Sequence, residues 1–368
     1  MRVLFLAWRD LAHPQAGGSE IVVDRLARGL ASAGHETALL CGGPVGERPY
    51  PVVNLGGTYG QYLRAPFAHR RFRDWDLLVD VSNGLPYFAP LWRAGPCVCF
   101  VHHVHTDQWR ERFPPPLADV LQRVERRGVP RLYRENLFVA VSESTASALK
   151  STGVDGARIR IVHNGVDVPP VAKKESSAPL YVVIARLVPH KRIDLILRVW
   201  ENVRPRTGGR LIIVGDGPER KRLETLAGPG TAFLGRVSDR AKYDLLAQAW
   251  VLVHASHHEG WGMAILEAAA AGTPALALDA PGVRDAVVTG RTGWLASDED
   301  ELAAAWVALT SGCERRRRLG EAARRRAEGL TWDRSVREFL SVAEEAVAIN
   351  GRPSQSGVEQ RVATARSA

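Results

Sequence analysis

The chain opens on an apolar run, Val3 to Trp8, which gives way to a loop holding Gly17 and Gly18. Apolar positions Ile21, Val22, Leu26 and Leu30 then recur every three to four residues. The first pattern predicts a buried strand and the second one face of a helix. Ser19 is placed to cap that helix and Gly34 to end it. TALLCGG (37–43) begins the next strand, and short apolar runs continue to alternate with amphipathic stretches through LLVDV (77–81), PCVCFV (96–101) and LFVAVSES (137–144). Alternation of this kind predicts βαβ units on a parallel sheet.

The pattern breaks at PPVAKKESSAP (169–179), which has no period, and then restarts. Strands are predicted at LYVVIARL (180–187), RLIIVGDG (210–217), AFLG (232–235), VLVHAS (251–256) and ALALDA (275–280), with helices near 191–203, 219–227 and 263–271. The reading is two α/β domains, each a doubly wound parallel sheet: an N-terminal domain over 1–170, a linker over 171–179 and a C-terminal domain over 180–332. A helix at 333–350 is expected to pack back on the N-terminal domain. Residues 351–368 are polar and aperiodic and are expected to form a disordered tail. A chain of 368 residues is long enough for two such cores.

Composition changes this picture little. Hydrophobic residues are 45% and charged residues 24%, the proportions of an ordinary globular protein. No apolar run approaches the ~20 residues of a membrane-spanning helix, and the opening MRVLFLAWRD lacks the length and cleavage site of a signal peptide. The expected place is the cytoplasm, either free or on the cytoplasmic face of a membrane. The net charge of +9 is shared by both halves and comes with no nucleic-acid-binding motif, so no nucleic-acid partner is expected. ERRRRLGEAARRRAE (314–328) spreads arginines round a helix, which reads as a solvated surface or a peripheral contact with an anionic membrane. Cys41, Cys97, Cys99 and Cys313 lack disulfide or zinc spacing and read as small buried hydrophobes.

Candidate chemistry concentrates in HHEGWGMAILEAAAAGTP (257–274). A strand, a loop with two glycines and a helix in that order point the amides near Trp261, Gly262 and Met263 out of a helix N-terminus, where an anion binds. Glu259 precedes this anion site and Glu267 sits among Ile265, Leu266 and alanines, where an unpaired carboxylate is costly. Arg186 is expected to end the strand at 180–187 and Lys191 to begin the next helix, so both should lie at the carboxyl end of the sheet of that domain, where ligands of open α/β sheets bind. Together they can neutralise a diphosphate without a metal.

ARLVPHKR (185–192), VGDGPE (214–219), FLGRVS (233–238), the 259–274 segment, HNGVD (163–167) and AGGSE (16–20) jointly resemble the retaining glycosyltransferases of family 4. The resemblance spans nearly the whole chain and implies the GT-B architecture, two Rossmann-like domains facing a cleft. It implies that Arg186 and Lys191 hold the donor diphosphate and that the loop from Gly260 through Trp261 and Gly262 to Met263 receives phosphate or sugar oxygens. Glu259 would stand near the transferred sugar and Glu267 would bind donor ribose hydroxyls. Gly215 and Arg236 would lie near the base, while Gly17 and Gly18 would let the first loop approach donor or acceptor. A histidine facing the reacting sugar is also implied; His102 fits best by strand register, with His103 as the fallback. APGVRDAV (280–287) departs from the family pattern, because it keeps Gly282 but has Asp285 where a longer acid is usual.

His102, His103 and His105 could instead be part of a zinc site, but no carboxylate or cysteine completes the set. Asp74-Trp75-Asp76 and Asp298-Glu299-Asp300 match a metal-binding Asp-x-Asp only formally. A dehydrogenase is disfavoured because GDGPER lacks the third glycine of the dinucleotide fingerprint, and no second histidine follows His258-Glu259 as in a zinc protease. The expected activity is retaining transfer of a sugar from a UDP- or GDP-sugar to a hydroxyl acceptor, without metal or other cofactor. The alternatives are a nucleotide-sugar epimerase, a phosphorylase on the same fold, or a nucleotide-sugar-binding protein without activity.

Overall fold

The computed structural model describes residues 1–105 and 108–351, which form two compact units. The first contains Met1–Ala140, Ala146–Val162 and the chain from Val336; the second contains Val141–Thr145 and His163–Ser335. The tail expected over 351–368 lies, beyond its first residue, outside the described residues.

In the first unit, strands β1 (Arg2–Arg9), β2 (Glu36–Gly42), β3 (Val52–Asn54), β4 (Leu77–Asn83), β5 (Cys97–His103), β6 (Leu137–Ala140) and β7 (Ile159–Ile161) make one sheet. Its order is β3-β2-β1-β4-β5-β6-β7, and every pairing is parallel. The helices are α1 (Gly18–Ser32), α2 (Gly60–His69), α3 (Gln108–Arg112), α4 (Pro115–Arg123), α5 (Val129–Leu132) and α6 (Glu143–Ser151), the first residues of α6 grouping with the second unit. Strands β3 and β7 escape the sequence pattern because three residues are too few to display a period.

The second unit repeats the scheme. Strands β8 (Leu180–Ile184), β9 (Arg210–Val214), β10 (Thr231–Gly235), β11 (Val251–His254), β12 (Ala275–Leu278) and β13 (Gly293–Ala296) pair in parallel in the order β10-β9-β8-β11-β12-β13. Its helices are α7 (Ile193–Thr207), α8 (Arg220–Leu226), α9 (Asp239–Gln248), α10 (Met263–Ala270), α11 (Val283–Ala286), α12 (Glu299–Ser311) and α13 (Cys313–Glu328). The core holds Trp200 stacked on Trp306 at 5.6 Å between ring centroids, with Tyr181 edge-on to both. In both sheets the order reverses beside the first strand, between β1 and β4 and between β8 and β11, and such a reversal opens a crevice at the carboxyl ends of the strands.

The last helix, α14 (Trp332–Gly351), gives the first unit its part from Val336. Phe339 is fully buried there, its ring 5.9 Å from those of Phe5 and Phe100, and Arg160 pairs with Glu345.

Several expectations change. Gly17, not Ser19, is the N-cap of α1: the Gly17 amide donates to Glu20 Oε2 at 2.8 Å and the Ser19 hydroxyl to the same oxygen at 2.9 Å. The expected linker is fastened along the second unit, with Lys173 Nζ donating to Thr273 Oγ1 at 2.7 Å and Glu175 held by Arg316 at 3.1 Å. That arginine belongs to the run read as a solvated surface, yet it is 2% exposed and lies 3.9 Å over the Trp250 ring. Cys41, Cys97 and Cys99 are buried, whereas Cys313 is exposed, because it starts α13. No described helix is long and apolar enough to cross a membrane.

Candidate functional site

Because β8, β9, β11 and β12 run parallel, the loops that follow them gather at one edge of the second sheet. The loop after β8 turns through residues 185–188 into a tight turn, Pro189–Lys191. Arg186 therefore lies two residues past the strand rather than ending it, and is exposed. Lys191 closes the tight turn, and α7 begins only after Arg192, whose φ of 50° is left-handed. The loop after β9 packs directly on this segment: a Cβ on Gly215 would fall 1.9 Å from the Ala185 carbonyl oxygen, and one on Gly217 2.3 Å from that of Leu187. The glycines of VGDGPE thus serve backbone approach, as glycine allows. Arg236, just past β10, is exposed.

The loop after β11 carries the central feature. Lys191 Nζ donates to Glu259 Oε1 in a close ion pair that is only 14% and 13% exposed on its two side chains. His254, the last residue of β11 and 4% exposed, places Nε2 3.0 Å from the same oxygen. Burial opposes charge on Glu259, but Lys191 and then His254 hold its carboxyl well below the usual range. The backbone fixes the loop as well. The Glu259 amide donates to Pro281 O at 3.1 Å and the His257 amide to His190 O at 3.0 Å. Gly282 stands at φ 79°, and a Cβ there would meet the Glu259 carbonyl oxygen at 2.0 Å. That approach is why this loop keeps its glycine, while Asp285 accepts the Ser144 amide at 3.1 Å.

Gly262, at φ 74° and ψ 49°, is the N-cap of α10, so the amides of Met263 and Ala264 start the helix without intrahelical acceptors. Trp261 is 3% exposed and stacked on His163 at 4.5 Å, and Gly260 is half-buried between it and Glu259. One turn further on, Glu267 is paired with Lys242 Nζ of α9 at 2.8 Å. Burial pushes the Glu267 carboxyl upward, and Lys242 counteracts it. His254, Lys242 and the His163–Trp261 stack were not foreseen. The histidine's polar side chain at the end of an apolar strand was the one available signal, while α9 gives no hint that Lys242 turns toward α10.

The candidates of the first unit gather at the carboxyl end of its own sheet. Gly17 and Gly18 start α1, and Asn83, at the end of β4, reaches Ser19 Oγ at 3.4 Å. His102 is 6% exposed with its ring 5.1 Å from that of Phe100. Burial, and after it the neighbouring His103, push its pKa down to about 3, so its imidazole is neutral at physiological pH and a weak proton acceptor. His103 ends β5, half-buried, with Nε2 3.3 Å from Gln108 Oε1 and its ring stacked on His105. Among the described residues no cluster of three or more His, Cys, Asp or Glu is arranged to hold a metal ion. The two Asp-x-Asp segments have other work: Asp76 accepts the Arg2 amide at 2.7 Å, and Asp298 caps α12.

Two family models match the chain, "Glycosyltransferase Family 4" over residues 16–169 and "Glycosyl transferases group 1" over 168–326. A GDP-mannose-dependent alpha-mannosyltransferase of Mycolicibacterium smegmatis is 34% identical over 48% of this chain and 49% of its own, so the chain spans about half the length of that curated relative. A D-inositol 3-phosphate glycosyltransferase of Xylanimonas cellulosilytica is 27% identical over 90% of this chain and 92% of its own. Among solved structures, Anabaena HepE in complex with UDP and glucose is alike in fold, with a TM-score of 0.75 at 19% identity over 94% of this chain and all of that one.

Proposed function

Because this chain belongs to glycosyltransferase family 4, we propose that it moves a sugar from a nucleoside-diphosphate sugar to a hydroxyl acceptor with retention of configuration, and that it does so without a metal. GDP-mannose, the donor in the name of the M. smegmatis relative, is the first donor to assay and a UDP-sugar the second. The observation that carries this reading is the edge of the second sheet where Lys191 and Glu259 are joined beside the open amides of α10, with exposed Arg186 on the same loop as Lys191.

The chemistry follows from charge. As the bond between the anomeric carbon and the diphosphate oxygen breaks, negative charge grows on the leaving group; the amides of Met263 and Ala264 are fixed donors for it, and Arg186 and Lys191 add positive charge. The acceptor hydroxyl bonds to the same face of the anomeric carbon, and its proton passes to a phosphate oxygen of the departing diphosphate. No pair of carboxylates flanking the bond is needed, unlike in a retaining glycosidase. Glu259 faces the sugar, Glu267 takes the ribose hydroxyls, and Gly215 and Arg236 border the base. Since Lys191 is bound to Glu259, the diphosphate has to share or replace that carboxylate.

The test measures nucleoside diphosphate released from GDP-mannose and from UDP-glucose with a panel of hydroxyl acceptors. Arg186→Ala and Lys191→Ala are each expected to lower kcat by roughly 10²- to 10³-fold, while a chelator leaves the rate unchanged. Glu267→Gln should chiefly raise the donor KM, by about tenfold or more, because contacts to ribose exist before and during reaction; Glu259→Gln should chiefly lower kcat. Nucleoside diphosphates that leave the melting temperature unmoved, or full rates in both cation variants, would remove the assignment.

A further inference from the structure

Helix α2 has its polarity inverted. On one face Gln61, Ala65 and His69 are buried at every fourth position. On the opposite, outward face, where a surface helix ordinarily carries polar side chains, stand Leu63 at 77% exposure and Phe67 at 65%. Tyr59, the N-cap, is 64% exposed in line with them. These positions repeat at i, i+4 and i+8, so the three side chains form one stripe along the helix.

The charges along the helix and the tight turn that follows it, residues 60–72, all have one sign. Between Glu47 and Asp74 the sequence has no acidic residue and five arginines. Arg48 is turned inward onto Asp10 and Asp24, Arg73 faces Asp74 and Arg64, though exposed, donates to Leu55 O at 3.0 Å, which leaves Arg70 and Arg71 as the exposed cations beside the stripe. Arg70 lies 5.2 Å over the Phe67 ring, which binds cation and apolar surface into one unit. The helix begins beside the carboxyl end of β1, where Gln61 Nε2 donates to Trp8 O at 3.3 Å and the Tyr59 ring meets that of Trp8. The stripe therefore starts at the sheet edge that also holds Gly17 and Gly18.

We propose that the outward face of α2 is a membrane-docking surface: Tyr59, Leu63 and Phe67 enter the headgroup region of a bilayer, and Arg70 and Arg71 contact anionic lipid. An apolar stripe flanked by cations is the pattern of a helix lying in a membrane interface, and each arginine near an anionic surface adds attraction. The shape agrees, because side chains projecting from a single exposed helix fit a fluid surface. A second copy of the chain is a poor occupant, since a two-fold contact would set these arginines against themselves. The chain beyond residue 351 is no better, with Arg352, Arg361 and Arg366 against one Glu359. The arginines of α13 are partly committed elsewhere: Arg316 is buried on Glu175, and Arg324 donates to Val171 O at 3.0 Å.

The experiment is co-sedimentation of the full chain with vesicles of phosphatidylcholine alone and of phosphatidylcholine with about a third phosphatidylglycerol. Partitioning is expected to be about tenfold or more stronger on the anionic vesicles and to weaken with salt. Leu63→Ser with Phe67→Ser should abolish it, and Arg70→Glu with Arg71→Glu should reduce it about tenfold or more. Arg317→Ala with Arg325→Ala on α13 should leave it unchanged. As a direct readout, Phe67→Trp should shift its emission to the blue on anionic vesicles only. Melting temperatures show that each variant is folded. Binding that survives both sets of α2 substitutions, or no binding to anionic vesicles, overturns the proposal. So does a concentration-dependent dimer that the Leu63 and Phe67 substitutions dissolve, which would assign the face to a second copy.

Discussion

At the scale of single residues, Lys191 and Glu259 are as much a structural pair as a chemical one. Removing one member of a buried ion pair strands the other, at a cost of about 3 kcal/mol. Lys191→Ala is accordingly expected to lower stability by roughly that amount at pH 7, and addition of Glu259→Gln to recover most of it without recovering transfer. Urea unfolding of the three proteins decides the point; a double variant no more stable than the single one would mean that the two side chains do not stabilise each other. The sign of the pH dependence follows from Glu259, whose folded pKa lies below its unfolded one. Its contribution is present above the unfolded value of about 4.3 and is lost as pH falls toward the folded value, so the Lys191→Ala penalty should shrink in acid. The pairing itself was not legible in the sequence. The spacing of Arg186, Lys191, Glu259 and Glu267 marks an anion site, but that 68 residues of chain close to bring Lys191 onto Glu259 is a property of the sheet order.

At the scale of elements, the loops that matter are held by backbone meeting backbone. Gly282 has a positive φ and carries the Glu259 carbonyl oxygen where a Cβ would be. Gly282→Ala should therefore cost at least the roughly 1–3 kcal/mol of a strained backbone position and also displace Glu259, lowering kcat. Gly290→Ala, at a similar φ of 74° but with nothing within 4 Å of its Cβ, should cost stability alone. Measuring both variants by melting and by steady-state kinetics separates strain from displacement; equal kinetic effects would refute a positioning role for Gly282. The long strands β1, β2, β4 and β5 could be read from continuous apolar runs, because they are buried on both faces, and α1 and α7 from apolar period, because each buries one face. Short β3, β7 and β13 could not. Nor could the inverted face of α2, since Tyr59, Leu63 and Phe67 have the spacing of a core-facing stripe and it takes the packing of Gln61, Ala65 and His69 to show which face is inside.

At the scale of the whole chain, the two α/β units were legible because the apolar pattern stops near residue 169 and starts again. The composition of the linker misled: proline, lysine and serine suggest a free segment, but Lys173 and Glu175 find Thr273 and Arg316, 100 and 141 residues away. The last helix has a separate consequence. Unit one takes α14 from Val336, and its fully buried Phe339 closes on Phe5 of β1 and Phe100 of β5. The first unit is therefore incomplete until α14 is in place, whereas His163–Ser335 of the second unit is continuous in sequence. Phe339→Ala should remove about 3–5 kcal/mol from the first unit and leave the proposed nucleotide site of the second untouched. Thermal unfolding with and without GDP or UDP reads the two units separately, because a ligand stabilises only the unit that binds it. The variant is expected to show an earlier transition that nucleotide does not move, followed by one that nucleotide raises as far as in the parent chain. A single transition shifted by both the substitution and the nucleotide would mean that the two units unfold as one.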